Sequence, residues 1–337
     1  MEHVVARRCS SVEAIPCLSE EIASQSTLAT NARNDILRIA EYQNAFLLFA
    51  SNPHIMGRMQ NQDVRSRLTA LIRWLIPLAA LFALAAWFYI APPGILGKAD
   101  AIGYAVCHRI DARSFHIGDR QLPLCARCTG EFNAAAIGLI FQAVVSRKRS
   151  RLPNRGILAI LFVFFLAFGI DGANSYLYLL KQSAPGTLAQ IPNLYIPNNI
   201  LCLFTGSGMG LALSSVLYPI VNQTIWRQTD DRPAIEWKSF GILAVITLAA
   251  DLLVLTDNIF VLYPVAILSV LGVLSLLTMV FTTLWMMIMR QENTFERVPQ
   301  LWLSALAGLT LALLMILSID MLRFQLTHTW SGFPGLG

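Results

Sequence analysis

Long apolar runs separated by short polar segments dominate the sequence. Each run is close to the helix length, about 20 residues, that crosses a hydrocarbon core about 30 Å thick. The runs cover residues 71–90, 130–145, 157–180, 199–221, 239–255, 260–289 and 301–324. The pattern predicts an all-α fold, a polytopic membrane helix bundle of about seven spans. The second run is the shortest, and the basic cluster after it is typical of the end of a span.

The chain before the first apolar run is polar. Residues 1–68 contain seven basic and seven acidic side chains, and only residues 34–50 repeat apolar positions at helical spacing. We therefore predict a polar cytoplasmic N-terminal extension over 1–68. The remainder divides into a membrane core over 69–221, which carries a long polar loop at 91–129, and a C-terminal three-span membrane part over 222–337.

Composition supports the membrane class. Hydrophobic residues make up 55% of the chain and charged residues only 13%, against about 25% charged in a soluble domain. The net charge of +5 comes from the membrane part, since the N-terminal charges cancel. We interpret this excess as loops that face lipid headgroups, so the expected partners are the bilayer and other members of a membrane complex, and not nucleic acid.

The distribution of basic residues predicts the orientation, because basic loops stay in the cytoplasm. The loop between the second and third runs carries five of them, and the loop between the third and fourth carries Lys181 alone. This places the N-terminus in the cytoplasm and puts the C-terminus and loop 91–129 outside. That loop is itself basic, but a folded element of its length weakens the rule. The five basic residues are Arg147, Lys148, Arg149, Arg151 and Arg155.

Loop 91–129 holds the residues with the clearest chemistry. Cys125 and Cys128 form a Cys-x-x-Cys pair, whose two thiolates can reach one tetrahedral ion. Cys107 is the natural third ligand, and either His108 or His116 could be the fourth. His116 is the geometrically easier choice, because adjacent side chains seldom aim at one ion. The predicted cofactor is zinc.

The same cysteines have a redox interpretation. Cys-x-x-Cys is also the motif of reactive dithiols, and a positive charge such as Arg127 lowers a thiol pKa. An external location would favour a disulfide or redox pair. No thioredoxin-like pattern surrounds the pair, however, and a redox dithiol leaves Cys107 and His108 without a role. Buried, unreactive cysteines are the third alternative.

Ionisable residues inside the predicted spans are candidates for a functional site, since each is costly in lipid unless it is paired or hydrated. With the predicted orientation, Asp171, Asp251 and Asp320 all lie in the outer half of the membrane, level with the cysteine loop. Asp320 has Arg323 one turn away, so these two are expected to pair. The glycines at 206, 208 and 210 predict close helix packing and not a phosphate loop.

The cysteine loop resembles the signature of a known family. The family comprises uncharacterised predicted membrane proteins of bacteria and archaea, and the resemblance covers residues 91–221. Where we expect Ile and Tyr after the motif, this chain has Glu131 and Phe132. The resemblance implies the membrane class and the importance of the Cys/His loop, but no substrate. It rests on the run Cys107-His108…Arg113-Ser114-Phe115…Pro123-Leu124-Cys125-Ala126-Arg127-Cys128-Thr129-Gly130.

Three functions follow from these residues. The first is an external structural metal site that binds Zn²⁺, in a protein with a binding or accessory role. The second is a metal-dependent membrane enzyme in which Asp171 or Glu131 acts as general base. The third is thiol–disulfide exchange through Cys125 and Cys128. Closed structural sites use more thiolates than catalytic ones, which favours the first.

Overall fold

The computed structural model describes residues 53–183 and 190–331. The chain divides into two compact units, Met1–Ile72 and Arg73–Gly337. Of the first unit, residues 53–72 are described and are helical throughout. The helix predicted over 34–50 lies outside the described residues. The rest of the description concerns the second unit.

Helices account for almost all regular structure in the described ranges. They are α1 (Pro53–Ile90), α2 (Ile95–Val106), α3 (Ala126–Val145), α4 (Arg155–Ser183), α5 (Asn199–Ile225), α6 (Trp237–Val254), α7 (Ile259–Met289) and α8 (Trp302–Thr327). Four short strands form two pairs: β1 (His116–Ile117) with β2 (Arg120–Gln121), antiparallel, and β3 (Arg149–Arg151) with β4 (Asp230–Pro233), parallel. The predicted all-α polytopic bundle is confirmed.

Within residues 53–183 and 190–331, seven helical segments are long and apolar enough to span a membrane, and each matches one predicted run. The second span begins at Ala126 and not at residue 130. The polar motif before residue 130 suggested a loop. In the structure Cys125 has an extended backbone and caps the helix, so Arg127 and Cys128 already lie in its first turn.

The centre of the bundle is the crossing of α3 and α5. A Cβ at Gly206 would meet the carbonyl oxygen of Arg127, and one at Gly210 would meet that of Glu131. A Cβ at Gly130 would in turn meet the carbonyl oxygen of Leu203. Only glycine allows the two backbones to come this close, as is typical of helix pairs in membranes. The predicted packing role of Gly206 and Gly210 is confirmed.

Loop 91–129 is folded, and its first half is not peripheral. Helix α2 packs against α7 and α8, where Ala101, Ile102 and Cys107 join one apolar cluster with Val273 and Ile316. With 12 residues α2 is too short to span the membrane. The second half of the loop is a 3-10 turn, Asp111–Arg113, followed by the β1–β2 hairpin.

The basic segment after α3 is fixed to the opposite end of that helix. Asn222 of α5 donates from its side-chain nitrogen to the carbonyl oxygens of Arg147 and Arg149, both at 2.8 Å. The cysteine pair and the basic cluster are therefore separated by the length of α3, which for 20 residues is about 30 Å.

Candidate metal centre

Three cysteines converge where α2 ends and α3 begins. Cys107 follows the last residue of α2, Cys125 caps α3, and Cys128 lies in the first turn of α3. Their three Sγ atoms lie within 4.8 Å of one another. All three are free thiols. The predicted convergence of Cys107 with the Cys-x-x-Cys pair is thus present in the structure.

Local backbone geometry brings the three together. Cys125 and Cys128 are one helical turn apart and so share a face of α3. The Thr129 N–H donates to the Cys125 carbonyl at 2.8 Å, which starts the helix at the motif. On the other side, a Cβ at Gly103 would meet the Pro123 carbonyl oxygen. This close approach of α2 to the segment before α3 carries Cys107 to Cys125.

Hydrogen bonds concentrate negative charge on Cys107. Its Sγ accepts from the Cys125 N–H at 3.3 Å and from the Arg109 N–H at 3.4 Å. Hydrogen bonds with the thiols of Cys125 and Cys128, and to a smaller extent these two backbone bonds, hold the pKa of Cys107 well below its usual range. The hydrogen bond with Cys107 raises the pKa of Cys125 to about 12. Binding one ion through all three sulfurs requires the thiols of Cys125 and Cys128 to lose their protons as well.

The two histidines proposed as fourth ligand occupy different places. His116 lies on β1, and its Nε2 is 3.0 Å from Asp111 Oδ1. His108 lines the same cavity as Cys125. Within the described residues, no histidine or carboxylate joins the three sulfurs at the 4.8 Å separation.

Arg127 connects the cysteine pair to α4. Its Nη2 donates to Asp171 Oδ2 at 2.6 Å and to Ser175 Oγ at 2.8 Å, and its Nε donates to the same Asp171 oxygen at 3.0 Å. Asp171 also accepts from Tyr195 Oη at 2.7 Å and from Thr205 Oγ1 at 3.0 Å. The Asp171 carboxylate is thus held by three residues. Burial and this hydrogen bond raise the pKa of Tyr195, so its hydroxyl remains a donor.

The other acidic candidates differ in their surroundings. Glu131, on α3, is close enough to interact electrostatically with both Cys107 and Arg127. Asp251 is buried and accepts from Ser207 Oγ at 2.7 Å. Asp320 is buried as well, and its Oδ1 has no hydrogen-bond partner among the described residues.

Arg323 of α8 holds the loop that carries Cys107. Its Nη1 donates to the Tyr104 and Cys107 carbonyl oxygens, both at 2.6 Å, and its Nη2 donates to the His108 carbonyl at 3.0 Å. The guanidinium also lies 3.9 Å from the centre of the Tyr104 ring. Sequence proximity had favoured Asp320 as the partner of Arg323. The carbonyl contacts carried no sequence signal, because they join residues more than 200 positions apart.

A cavity of about 460 Å³ opens beside the cysteines. It lies where α3 and α5 begin and α4 ends, together with the segment after Cys107. Its lining combines thiols, basic groups and apolar side chains: His108, Ile110, Arg113, Cys125, Arg127, Gly172, Ser175, Tyr176, Leu179 and Cys202. The volume is in the range of small-molecule sites.

Residues 107–216 match the model of a known family. That family is described as predicted membrane protein (DUF2085). The match covers about a third of the chain, begins at Cys107 and ends in α5, so it contains the three cysteines, Arg127 and Asp171. The predicted resemblance to an uncharacterised membrane protein family is confirmed.

One curated relative is distant. Uncharacterized protein MJ1492 of Methanocaldococcus jannaschii is 27% identical over 83 residues, which are 24% of this chain and 51% of the relative. The chain thus spans about half the length of that relative. No solved structure matches the chain.

Proposed function

We propose that this multi-pass membrane protein binds one Zn²⁺ ion through Cys107, Cys125 and Cys128, and that the ion fixes loop 91–129 on the helix bundle. The observation that carries the proposal is the convergence of three free thiols within 4.8 Å. The ion would join the end of α2, at Val106, to the start of α3, at Ala126. The site is structural, and the protein has a binding or accessory role in the membrane.

The donor set fits zinc. Thiolates bind Zn²⁺ at about 2.3 Å, so two sulfurs of one tetrahedral site lie about 3.8 Å apart. The three Sγ atoms are within a small adjustment of that spacing. The N–H groups that donate to Cys107 Sγ are the kind of outer contact that orients metal ligands.

His108 is the better supported fourth ligand. It lines the cavity that Cys125 also lines, and this shared lining outweighs the geometric objection to a ligand next to Cys107. His116 is engaged with Asp111 at 3.0 Å. We therefore favour Cys107, Cys125, Cys128 and His108, and His116 is the second choice.

We propose the orientation predicted from the basic loops: N-terminal residues 1–68 and the basic cluster in the cytoplasm, and the cysteine loop and C-terminus outside. The separation of the cysteine and basic ends along α3 supports it, because the cluster of five basic residues that is expected to stay in the cytoplasm lies at the end of α3 away from the cysteines.

The cavity beside Cys125 favours a second candidate function, a metal-dependent enzyme. Such an enzyme needs a free base near the metal. The Asp171 carboxylate is held by Arg127, Tyr195 and Thr205, which argues against it in that role. Glu131 is the stronger candidate, since it interacts with Cys107 and has no such set of donors.

The test compares Cys107→Ser with Cys202→Ser. Cys202 lines the same cavity but is not one of the three converging thiols, so it is the matched control. We expect one zinc per wild-type chain by elemental analysis, zinc loss in Cys107→Ser, and wild-type content in Cys202→Ser.

A free-thiol count on the same samples separates the alternatives. Equal zinc in both variants contradicts the proposal. A metal-free wild-type protein in which Cys125 and Cys128 form a disulfide supports thiol–disulfide exchange instead.

A further inference from the structure

The arginines in the lining of the cavity beside the cysteines give it a basic character, although Arg127 is paired with Asp171, which is not a lining residue. Two arginines, Arg113 and Arg127, line it, and none of the described lining residues is acidic. Because charge in a partly buried cavity is poorly screened, such a lining favours an anionic ligand.

Arg113, which is half-buried, has a guanidinium nitrogen that is free to bind an acceptor. Its Nη1 is buried without a hydrogen bond within the described ranges. Its guanidinium carbon lies 5.5 Å from the centre of the Tyr178 ring, a cation–π contact that leaves the hydrogen-bond donors available. Burying a charged nitrogen such as this Nη1 without an acceptor costs free energy. An anion in the cavity would remove this cost.

Arg127 offers a second donor to the same space. Its Nε and Nη2 are taken by Asp171, Ser175 and Cys202. Its Nη1 lies 3.7 Å from the position of a Cβ on Gly172, which also lines the cavity. The absence of a side chain at Gly172 keeps this donor open to a ligand.

The surroundings of the cavity are apolar on the side of α4. Tyr176, which lines it, is 59% exposed, and Ile170, about two turns earlier on the helix, is 53% exposed. These residues belong to a span, so their exposed surface faces acyl chains in a bilayer. A ligand in the cavity can therefore have a polar end at the arginines and an apolar end along α4.

We propose that the cavity binds the phosphate headgroup of an anionic amphiphile, held by Arg113 and Arg127, with its acyl chains along the lipid-facing surface of α4. Arginine suits phosphate because its planar fork forms paired, charge-assisted hydrogen bonds. The cavity adjoins the zinc site proposed above, since Cys125 and His108 also line it, but neither Arg113 nor Arg127 is a metal ligand candidate.

The experiment uses the full-length protein in a neutral detergent and three probes. Dioctanoyl phosphatidic acid carries both phosphate and chains, dioctanoylglycerol carries the chains alone, and inorganic phosphate carries the anion alone. Calorimetric titration should show the tightest binding to phosphatidic acid, weaker binding to inorganic phosphate, and none to dioctanoylglycerol.

Variants then test the residues. Arg113→Gln should weaken phosphatidic acid binding at least about tenfold, the effect of losing one charge-assisted interaction. Arg120→Gln is the matched control in the same loop. Its side chain pairs with Asp100 at 2.7 Å and does not line the cavity, so binding should stay as in the wild type.

A second variant keeps both arginines and closes the space. Gly172→Leu places a side chain in the cavity next to Arg127 and should abolish binding of phosphatidic acid. Zinc content is measured for every variant and should not change, which keeps this test independent of the metal proposal.

Three results would overturn the proposal. Equal affinity of the wild type and Arg113→Gln for phosphatidic acid would show that Arg113 does not bind the headgroup. Equal binding of dioctanoylglycerol and phosphatidic acid would show that the phosphate headgroup is not recognised. Equal binding of inorganic phosphate and phosphatidic acid would show that the acyl chains contribute nothing to the affinity.

Discussion

At the scale of single residues, Arg127 and Asp171 form the strongest polar contact between the cysteine motif and the bundle. The Asp171 side chain is 2% exposed and lies 2.6 Å from Arg127. Removing one member of such a pair leaves the other buried without its counter-charge, at a cost of about 3–5 kcal/mol. The ion pair also orients Arg127, which lies between the proposed zinc ligands Cys125 and Cys128 in the sequence.

Asp171→Asn should therefore lower the free energy of unfolding by about 3 kcal/mol, because Arg127 loses its counter-charge. We expect a lower thermal midpoint and retained zinc. Asp231→Asn is the control, since its pair with Arg151 is exposed on both sides and is worth about 1 kcal/mol at most. A variant with wild-type stability would show that the pair is not structural and would reopen Asp171 as a general base.

Sequence reasoning found the cysteines but not their supports. Cys125 and Cys128 carry a recognisable spacing, and Cys107 is close to them in the chain. Asp171 and Arg127 are 44 residues apart, and no spacing rule connects an arginine in one span to an aspartate in the next. Contacts of this kind are decided by how helices pack, which hydropathy does not encode.

At the scale of helices, the crossing of α3 and α5 determines where the cysteine motif lies. A side chain at Gly206 would collide with the Arg127 backbone. The same contact that brings the helices together therefore sets the position of the residue between Cys125 and Cys128.

Gly206→Val should push α3 away from α5 and disturb the motif. Overpacking of this kind costs about 1–3 kcal/mol, so we expect a lower thermal midpoint and weaker zinc retention against a chelator. Gly241→Val on α6 is the control, because nothing lies within 4 Å of a Cβ there. Equal stability and zinc retention in the two variants would contradict the role assigned to the crossing.

The spans were predictable because an apolar run of sufficient length has few alternatives to a membrane helix. Helix α2 was not, because its 12 residues are too few for a span. Its buried residues nevertheless pack against α7 and α8. A short apolar segment that returns to the bundle looks, in sequence, like part of a loop.

At the scale of the whole molecule, the proposed orientation has a direct test. Leu194 is 72% exposed in the segment between α4 and α5, and the Asp231 side chain is 78% exposed at the basic end. In intact cells, a membrane-impermeant maleimide should label Leu194→Cys but label Asp231→Cys only after permeabilisation, with the unsubstituted chain as background. The opposite pattern would show that the orientation is the reverse of the one proposed and that the cysteines lie in a reducing compartment.

The contact of Arg323 with Cys107 also orders events during synthesis. The two residues are 216 positions apart, which corresponds to about 10–40 s of translation. Arg109 likewise donates to the Trp330 carbonyl, 221 positions further on. The cysteine loop thus leaves the ribosome long before the groups that hold it, and its three thiols spend that interval without their native support. Assembly of the centre is consequently a late event, completed only when the last helix has been inserted.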